Sequence, residues 1–434
     1  MNKKYLMLFL LFVAVELQAQ DNVYPAEEYK GLLFITNATV HVGNGTVLQN
    51  ATIEVGDGKI IRVGENIAIP LDDVKVFDAK GKHVYPGLIL PQSDLGLKEI
   101  AAGVRGSNDY RELGDLNPNI RSVVAYNAAS MMINILKSNG VLLANVVPQG
   151  GAISGSSSVV QLDAWNYEDA VYKPDGAMHV NMPSFNAPRF RFVAQQDLPV
   201  DPVKQALEKV EEIKSFFRQG KAYLQEKDHA NVNLKFEALR GLFDNKQSLF
   251  VHANEVKQIL AAVELAKEFG FKTVIVGGAD SWQVAPILKD NNIGVILNTA
   301  HSLPGTEDED IDQPFKTPAL LQQAGVLFAL NDEATNTRYR NLAFNAGTAV
   351  AYGLTKEQAL SAITLSAAQL LGIADRTGSL EAGKDANIVV SEGDILDMKT
   401  SIVTHAFIQG RHVSLENKQT QLNERYLKKY GVEK

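Results

Sequence analysis

The sequence predicts an α/β protein built as a barrel of repeated strand–helix units between two strand-rich ends. Two observations carry this. Through the middle of the chain, apolar runs rich in β-branched residues alternate with amphipathic stretches, and Gly often marks the return to a strand. That is the pattern of βα units in a parallel sheet. At both ends the pattern changes to short alternating strands separated by Asn-Gly and Asp-Gly turns, which is the pattern of β-hairpins. Many βα units closing on themselves give a (β/α)8 barrel, with functional groups at the C-terminal ends of its strands.

The elements follow in order. Residues 1–19 combine Lys3 and Lys4 with the apolar run 6–15 and a small residue at Ala19. This is the pattern of a secretory signal peptide, and the run is too short to span a bilayer. The chain is therefore expected to be exported, periplasmic or extracellular, with no membrane span in the mature part. Residues 32–80 read as strands around Gly43-Asn44-Gly45 and Gly56-Asp57-Gly58. In the middle, strands are expected at 141–147, 249–252, 273–276, 294–297 and 325–330, and helices at 121–138, 255–269, 281–290 and 317–324. The charged stretch 201–228 is an amphipathic helix with Asp201 as N-cap and Pro202 in its first turn. It reads as a helix docked on the barrel, with a lid as the alternative. Strands return at 387–390, 401–408 and 411–413.

Composition narrows the chemistry. There is no cysteine, which excludes disulfide scaffolds, thiolate metal sites and Cys nucleophiles. The net charge of −8 leaves no electrostatic footprint for nucleic acid. Any metal centre must be built from carboxylates, amides and the eight histidines. His41, His83, His405 and His412 fall in the strand-rich ends, and His179 and His229 in loop or helical excursions. His252 and His301 stand at barrel strand ends.

Three blocks resemble one family: Gly81-Lys82-His83-Val84-Tyr85-Pro86-Gly87-Leu88-Ile89, the stretch from Gly353 to Thr364, and Gly378-Ser379-Leu380-Glu381-Ala382-Gly383-Lys384-Asp385-Ala386-Asn387 running into Ile388-Val389-Val390. They resemble the amidohydrolase superfamily, in particular its imidazolonepropionase-like members, over roughly residues 30–415. The resemblance implies a TIM-like barrel at 83–375 and a small β-sandwich made jointly by 30–82 and 376–415, leaving 416–434 as a C-terminal tail. It also implies a metal-dependent hydrolase site. There a divalent cation lowers the pKa of a bound water, held by a His-x-His pair, a carboxylated Lys or Glu, two single His and a closing Asp.

This chain departs from that ligand set. Gln92 and Asp94 stand at the His-x-His positions, Gln161 at the Lys position and Gly277 at the second single His. His252 and Asp332 keep their residue types. Asn331 and Glu333 flank Asp332, and His301 has no counterpart. The acidic run 307–310 reads as a solvated loop, with a cation site as the alternative. The remaining donors, Asp94, His252 and Asp332, admit one divalent metal at most (zinc, iron or manganese) or none. Gln92, Gln161, His301 and Asn331 are then ligand-contacting candidates. Two readings stand side by side. One is an exported hydrolase of non-peptide C–N bonds, with Asp332 as base and His252 as ligand or polariser. The other is an inactive binding or partner subunit, taking a small molecule and forming a homo-oligomer or pairing with an intact amidohydrolase.

Overall fold

A computed structural model describes residues 23–71, 74–99, 109–186, 201–226, 228–298, 300–302, 309–332 and 338–432. The expected signal segment and Glu333 lie outside these residues.

The chain opens with β1 (Leu32–His41), β2 (Val47–Gly56), β3 (Lys59–Gly64), β4 (Lys75–Asp78) and β5 (His83–Pro86). The Asp57-Gly58 turn between β2 and β3 has positive φ at both residues, as a two-residue hairpin requires. β1 is interrupted by irregular register around Asn37, whose φ is 53°. It therefore pairs with β2 on one side and with β4 and then β5 on the other.

The barrel strands follow: β6 (Leu88–Ser93), β7 (Val141–Val146), β8 (Ile153–Gln161), β9 (Val171–Asn181), β10 (Ser248–Ala253), β11 (Thr273–Gly277), β12 (Gly294–Leu297) and β13 (Phe328–Leu330). They form one nearly closed eight-stranded sheet in sequence order. The gap between β13 and β6 is crossed by a side chain, since Gln92 N–H donates to Asn331 Oδ1 (3.3 Å).

After the barrel come β14 (Ile388–Ser391), β15 (Val403–Ile408) and β16 (Arg411–Val413). β14 pairs antiparallel with β5, so both chain ends share one eight-stranded sheet, in the order β16-β15-β14-β5-β1-β2-β3. It folds around its own core of Leu33, Ile35, Val40, Ile53, Ile60, Ile388 and Phe407. Because β5 belongs to this sheet, the boundary expected at 82 falls after Pro86. The segment expected as a tail contains a helix, Lys418–Tyr430, capped by Asn417.

One departure bears directly on the site. A regular (β/α)8 barrel is all parallel, but here β8 runs antiparallel to both β7 and β9. Residues 147–152 are all that join β7 to β8, and a parallel return needs a crossover of a dozen residues or more. Between β8 and β9 there is one short helix, α1 (Tyr167–Ala170). The helix expected over 121–138 is also broken, into a 3-10 turn at Ser122–Ala125 and a helix at Met131–Lys137.

The charged stretch forms α2 (Pro202–Gln225), with Asp201 accepting from Val203 N–H (2.9 Å). Ala206, Val210, Ile213, Phe217 and Gly220 are buried at helical spacing. Phe217 is fully buried against Phe269 and Phe271, with ring centroids 5.6 and 5.5 Å away. Burying one such ring stabilises the fold by about 1.5–3 kcal/mol. A Cβ at Gly220 would meet Leu239 at 2.5 Å. The helix is docked, as the first reading expected. No helix of the described residues is long and apolar enough to cross a membrane.

Candidate functional site

The C-terminal ends of β6, β10 and β13 bring Gln92, Asp94, His252, Asn331 and Asp332 to the mouth end of the barrel. Both carboxylates are buried and engaged. Asp94 is 5% exposed. Tyr339 Oη–H donates to its Oδ1 (2.7 Å), and the Asp94 backbone N–H donates back to Tyr339 Oη (3.1 Å). Lys98 Nζ lies 3.8 Å from Asp94 Oδ2. Asp332 is fully buried. Asn345 Nδ2 donates to its Oδ2 (3.0 Å), and Arg338 Nε stands 3.6 Å from its Oδ1.

Three of these partners come from one stretch. Arg338 and Tyr339 precede α3 (Leu342–Ala351), and Asn345 lies within it. The sequence offered no signal for this, because an Arg, a Tyr and an Asn after a strand match no metal or catalytic motif. Asn331 links β6 to the strand beyond, accepting from Gln92 N–H and donating from Nδ2 to Asn298 Oδ1 (3.4 Å).

His252, on β10, has a partner that sequence reasoning missed. His179 lies on β9, not in a loop or helical excursion, and is fully buried. Its Nδ1 is 3.0 Å from His252 Nε2, and its Nε2 is 2.8 Å from Ser157 Oγ on β8. The edge of Phe250 packs on its ring, with centroids 5.4 Å apart. Burial pushes the His252 pKa down to about 4 and that of His179 well below the usual histidine range, the neighbouring imidazole adding to the latter. Both rings are neutral at pH 7. Apolar alternation in residues 171–181 was the available signal for a strand here, masked by Pro174, Asp175 and Gly176.

Gln161 does not join this group. The reversed strand carries it to the opposite end of the sheet, where it pairs with Leu143 near the start of β7. There its Oε1 accepts from Arg411 Nη2 (3.0 Å) and its Nε2 donates to Asp169 O (3.1 Å). It belongs to the seam with the small β domain. His301 is exposed at the rim beyond β12, with its ring against Phe315 (5.2 Å). Gly277 has a φ of 103°, and a Cβ there would meet Asn254 Oδ1 at 2.4 Å. An imidazole at this position would have to displace Asn254 and adopt a backbone that L-residues avoid.

Comparison with known proteins fits this arrangement. The model of the amidohydrolase family matches residues 283–413. The solved structure of an amidohydrolase from Thermotoga maritima MSB8 superposes with a TM-score of 0.75 at 26% identity, covering 88% of this chain and 99% of that one. The chain belongs to the amidohydrolase superfamily. It is 26% identical over 394 residues to an imidazolonepropionase from Thermoplasma volcanium, covering 86% of this chain and 88% of that one. It is 22% identical over 358 residues to the amidohydrolase tasK of Hapsidospora irregularis, covering 75% of this chain but 36% of that longer protein.

Amidohydrolases usually bind divalent metals at this end of the barrel. Among the described residues, no group of three or more His, Asp or Glu is arranged to hold a metal ion. The donors themselves show why. Asp94 and Asp332 face protein cations and hydrogen-bond donors, His252 Nε2 faces His179, and Asn254 fills the space beside Gly277. As arranged, these residues do not fit the metal centre that the superfamily implies.

Proposed function

We propose that this chain is an exported amidohydrolase-fold protein whose barrel mouth binds a small molecule without a catalytic metal, and that it acts as a binding or partner subunit. The observation that carries this is the pairing of both mouth carboxylates with donors from their own chain: Asp94 with Tyr339 and Lys98, Asp332 with Asn345 and Arg338. A metal centre needs those oxygens turned toward the ion, and general-base catalysis needs one within reach of a water. The partner is a second copy of this chain or an amidohydrolase with an intact ligand set. The export reading is supported by the basic and apolar pattern of residues 1–19.

A second reading keeps a hydrolase of non-peptide C–N bonds, as the name of the imidazolonepropionase relative suggests. It is favoured by His252, which stands partly exposed at a barrel strand end. One experiment separates the two. The chain, purified from its native envelope without chelator, is assayed on cyclic and linear amides with zinc, iron or manganese added. The binding reading expects a co-purifying partner or a second copy, no turnover, and no difference between wild type and Asp332→Asn. Turnover that Asp332→Asn abolishes would overturn it.

A further inference from the structure

The face of the barrel opposite the mouth carries a cleft whose charge is of one sign. It lies at the N-terminal ends of β11 and β12 and at the turn before β13, with a volume of about 240 Å3. Lys272, Lys289, Asn292 and Gln369 ring a floor of Leu288, Ile293 and Leu370, and no Asp or Glu lines it. Among the described residues neither lysine forms an ion pair, and the side chains of Asn292 and Gln369 have no hydrogen-bond partner. All four are exposed. Gly325, at a φ of 69°, closes the helix at Gln313–Ala324 and lines the cleft. A Cβ on it would lie 3.4 Å from Lys289 Nζ, so this ammonium stands against the cleft wall. Lys272 acts on a third lysine. Lys173 donates to Leu371 O and Gly372 O (2.9 and 3.1 Å), and its pKa is pushed down by burial first and by Lys272 second, against Asp375.

We propose that this cleft binds a small organic anion, an anionic oxygen group on a compact apolar body, at a site separate from the mouth. The anionic group follows from the lining. Two ammonium groups without carboxylates, beside two amides with N–H groups to give, favour an oxygen that only accepts, and hydrogen bonds between charged groups are the strong ones. A cationic ligand would face both lysines with no acid to hold it. The apolar body follows from Leu327, which lines the same cleft and is 39% exposed. Covering it removes apolar surface from water. Beneath, Gly294 leaves room for the floor, since a Cβ there would meet Leu370 at 2.3 Å. The size follows from the volume, which is below the roughly 300–1,000 Å3 of pockets for drug-sized ligands. The site does not rest on the reading of the mouth, which lies at the other ends of the same strands.

The test is calorimetric titration of the full chain, with methyl NMR to locate the ligand. Benzoate or phenyl phosphate is expected to bind saturably and to shift the methyl resonances of Val326 and Leu327, and the tighter of the two identifies the anionic group. Benzamide, the neutral counterpart of benzoate, is expected not to bind, and inorganic phosphate, which lacks the apolar body, to bind more weakly. Lys272→Gln combined with Lys289→Gln changes exposed side chains alone, and its melting curve checks that it folds. It is expected to weaken binding about tenfold or more, and Leu327→Ala to weaken it a few-fold. Asp332→Asn, at the mouth, is expected to bind like wild type. Binding of neither organic anion, equal binding of benzamide or of inorganic phosphate, or an affinity unchanged in the double lysine variant would overturn the proposal. So would loss of binding in Asp332→Asn, which would move the ligand to the mouth.

Discussion

The molecule holds two hydrogen-bonded histidine pairs at opposite ends, and they are built differently. At the seam between the small β domain and the barrel, His41 Nε2 lies 2.9 Å from His83 Nδ1, with the rings stacked at 22°. His41 also stacks on Tyr85 at 4.5 Å. At the mouth, His179 and His252 are 3.0 Å apart with rings tilted at 46°. The seam pair ends on a carboxylate: His41 Nδ1 lies 2.7 Å from Glu357 Oε1, on α4 (Lys356–Ala362). The mouth pair ends on the Ser157 hydroxyl.

A carboxylate only accepts, so the seam pair points its protons inward and joins the two domains. A buried hydroxyl without another acceptor donates, so at the mouth the hydrogen bonds start from Ser157. The group that terminates the chain sets the direction in which a histidine pair passes its hydrogen bonds.

The largest expected effect breaks the seam. Glu357→Ala leaves His41 Nδ1–H, on a side chain 14% exposed, without its acceptor. The expected loss is about 1–3 kcal/mol, read from chemical denaturation, and Glu357→Gln is expected to recover most of it through its amide oxygen. Ser157→Ala at the mouth leaves the buried His179 Nε2 without its partner and is expected to cost a comparable amount, about 1–3 kcal/mol.

The pH dependence comes next. His252 titrates near 4 in the folded chain and near 6.5 when unfolded. The unfolded chain therefore binds more protons across that interval, and stability falls as pH drops from about 6.5 toward 4. His179 contributes with the same sign, as does His83, whose pKa is lowered by burial first and by His41 second. His252→Gln is expected to remove the share of His252 while leaving those of His179 and His83. Equilibrium unfolding at stepped pH measures it, and an unchanged slope would show that His252 is not held neutral. The smallest effect belongs to His301, exposed at the rim and outside both pairs. His301→Ala is expected to stay within about 0.5 kcal/mol of wild type.

Much of the fold was legible because it is set locally. The helix expected at 255–269 is observed at Val256–Phe269, closed by Gly270 at a φ of 73°. The hairpins at Asp57-Gly58 and the mouth positions of His252, Asp94 and Asp332 follow from turn chemistry and from the resemblance. What stayed hidden depends on distant pairing. The reversal of β8 follows from a short connection whose two flanking strands had to be known first. It sent Gln161 to the seam and brought Ser157 up to His179. The closing of Asp94 by Tyr339, a residue 245 positions away, has no local trace either.

The central claim is that the mouth's carboxylates are committed to their own chain and leave no cage for a metal. Zinc titration by calorimetry on the full chain, with metal content measured after gel filtration, tests it most directly. The account predicts no saturable uptake at the mouth and a retained metal content well below one atom per chain. One tightly held zinc per chain, lost in both Asp94→Asn and Asp332→Asn, would contradict it.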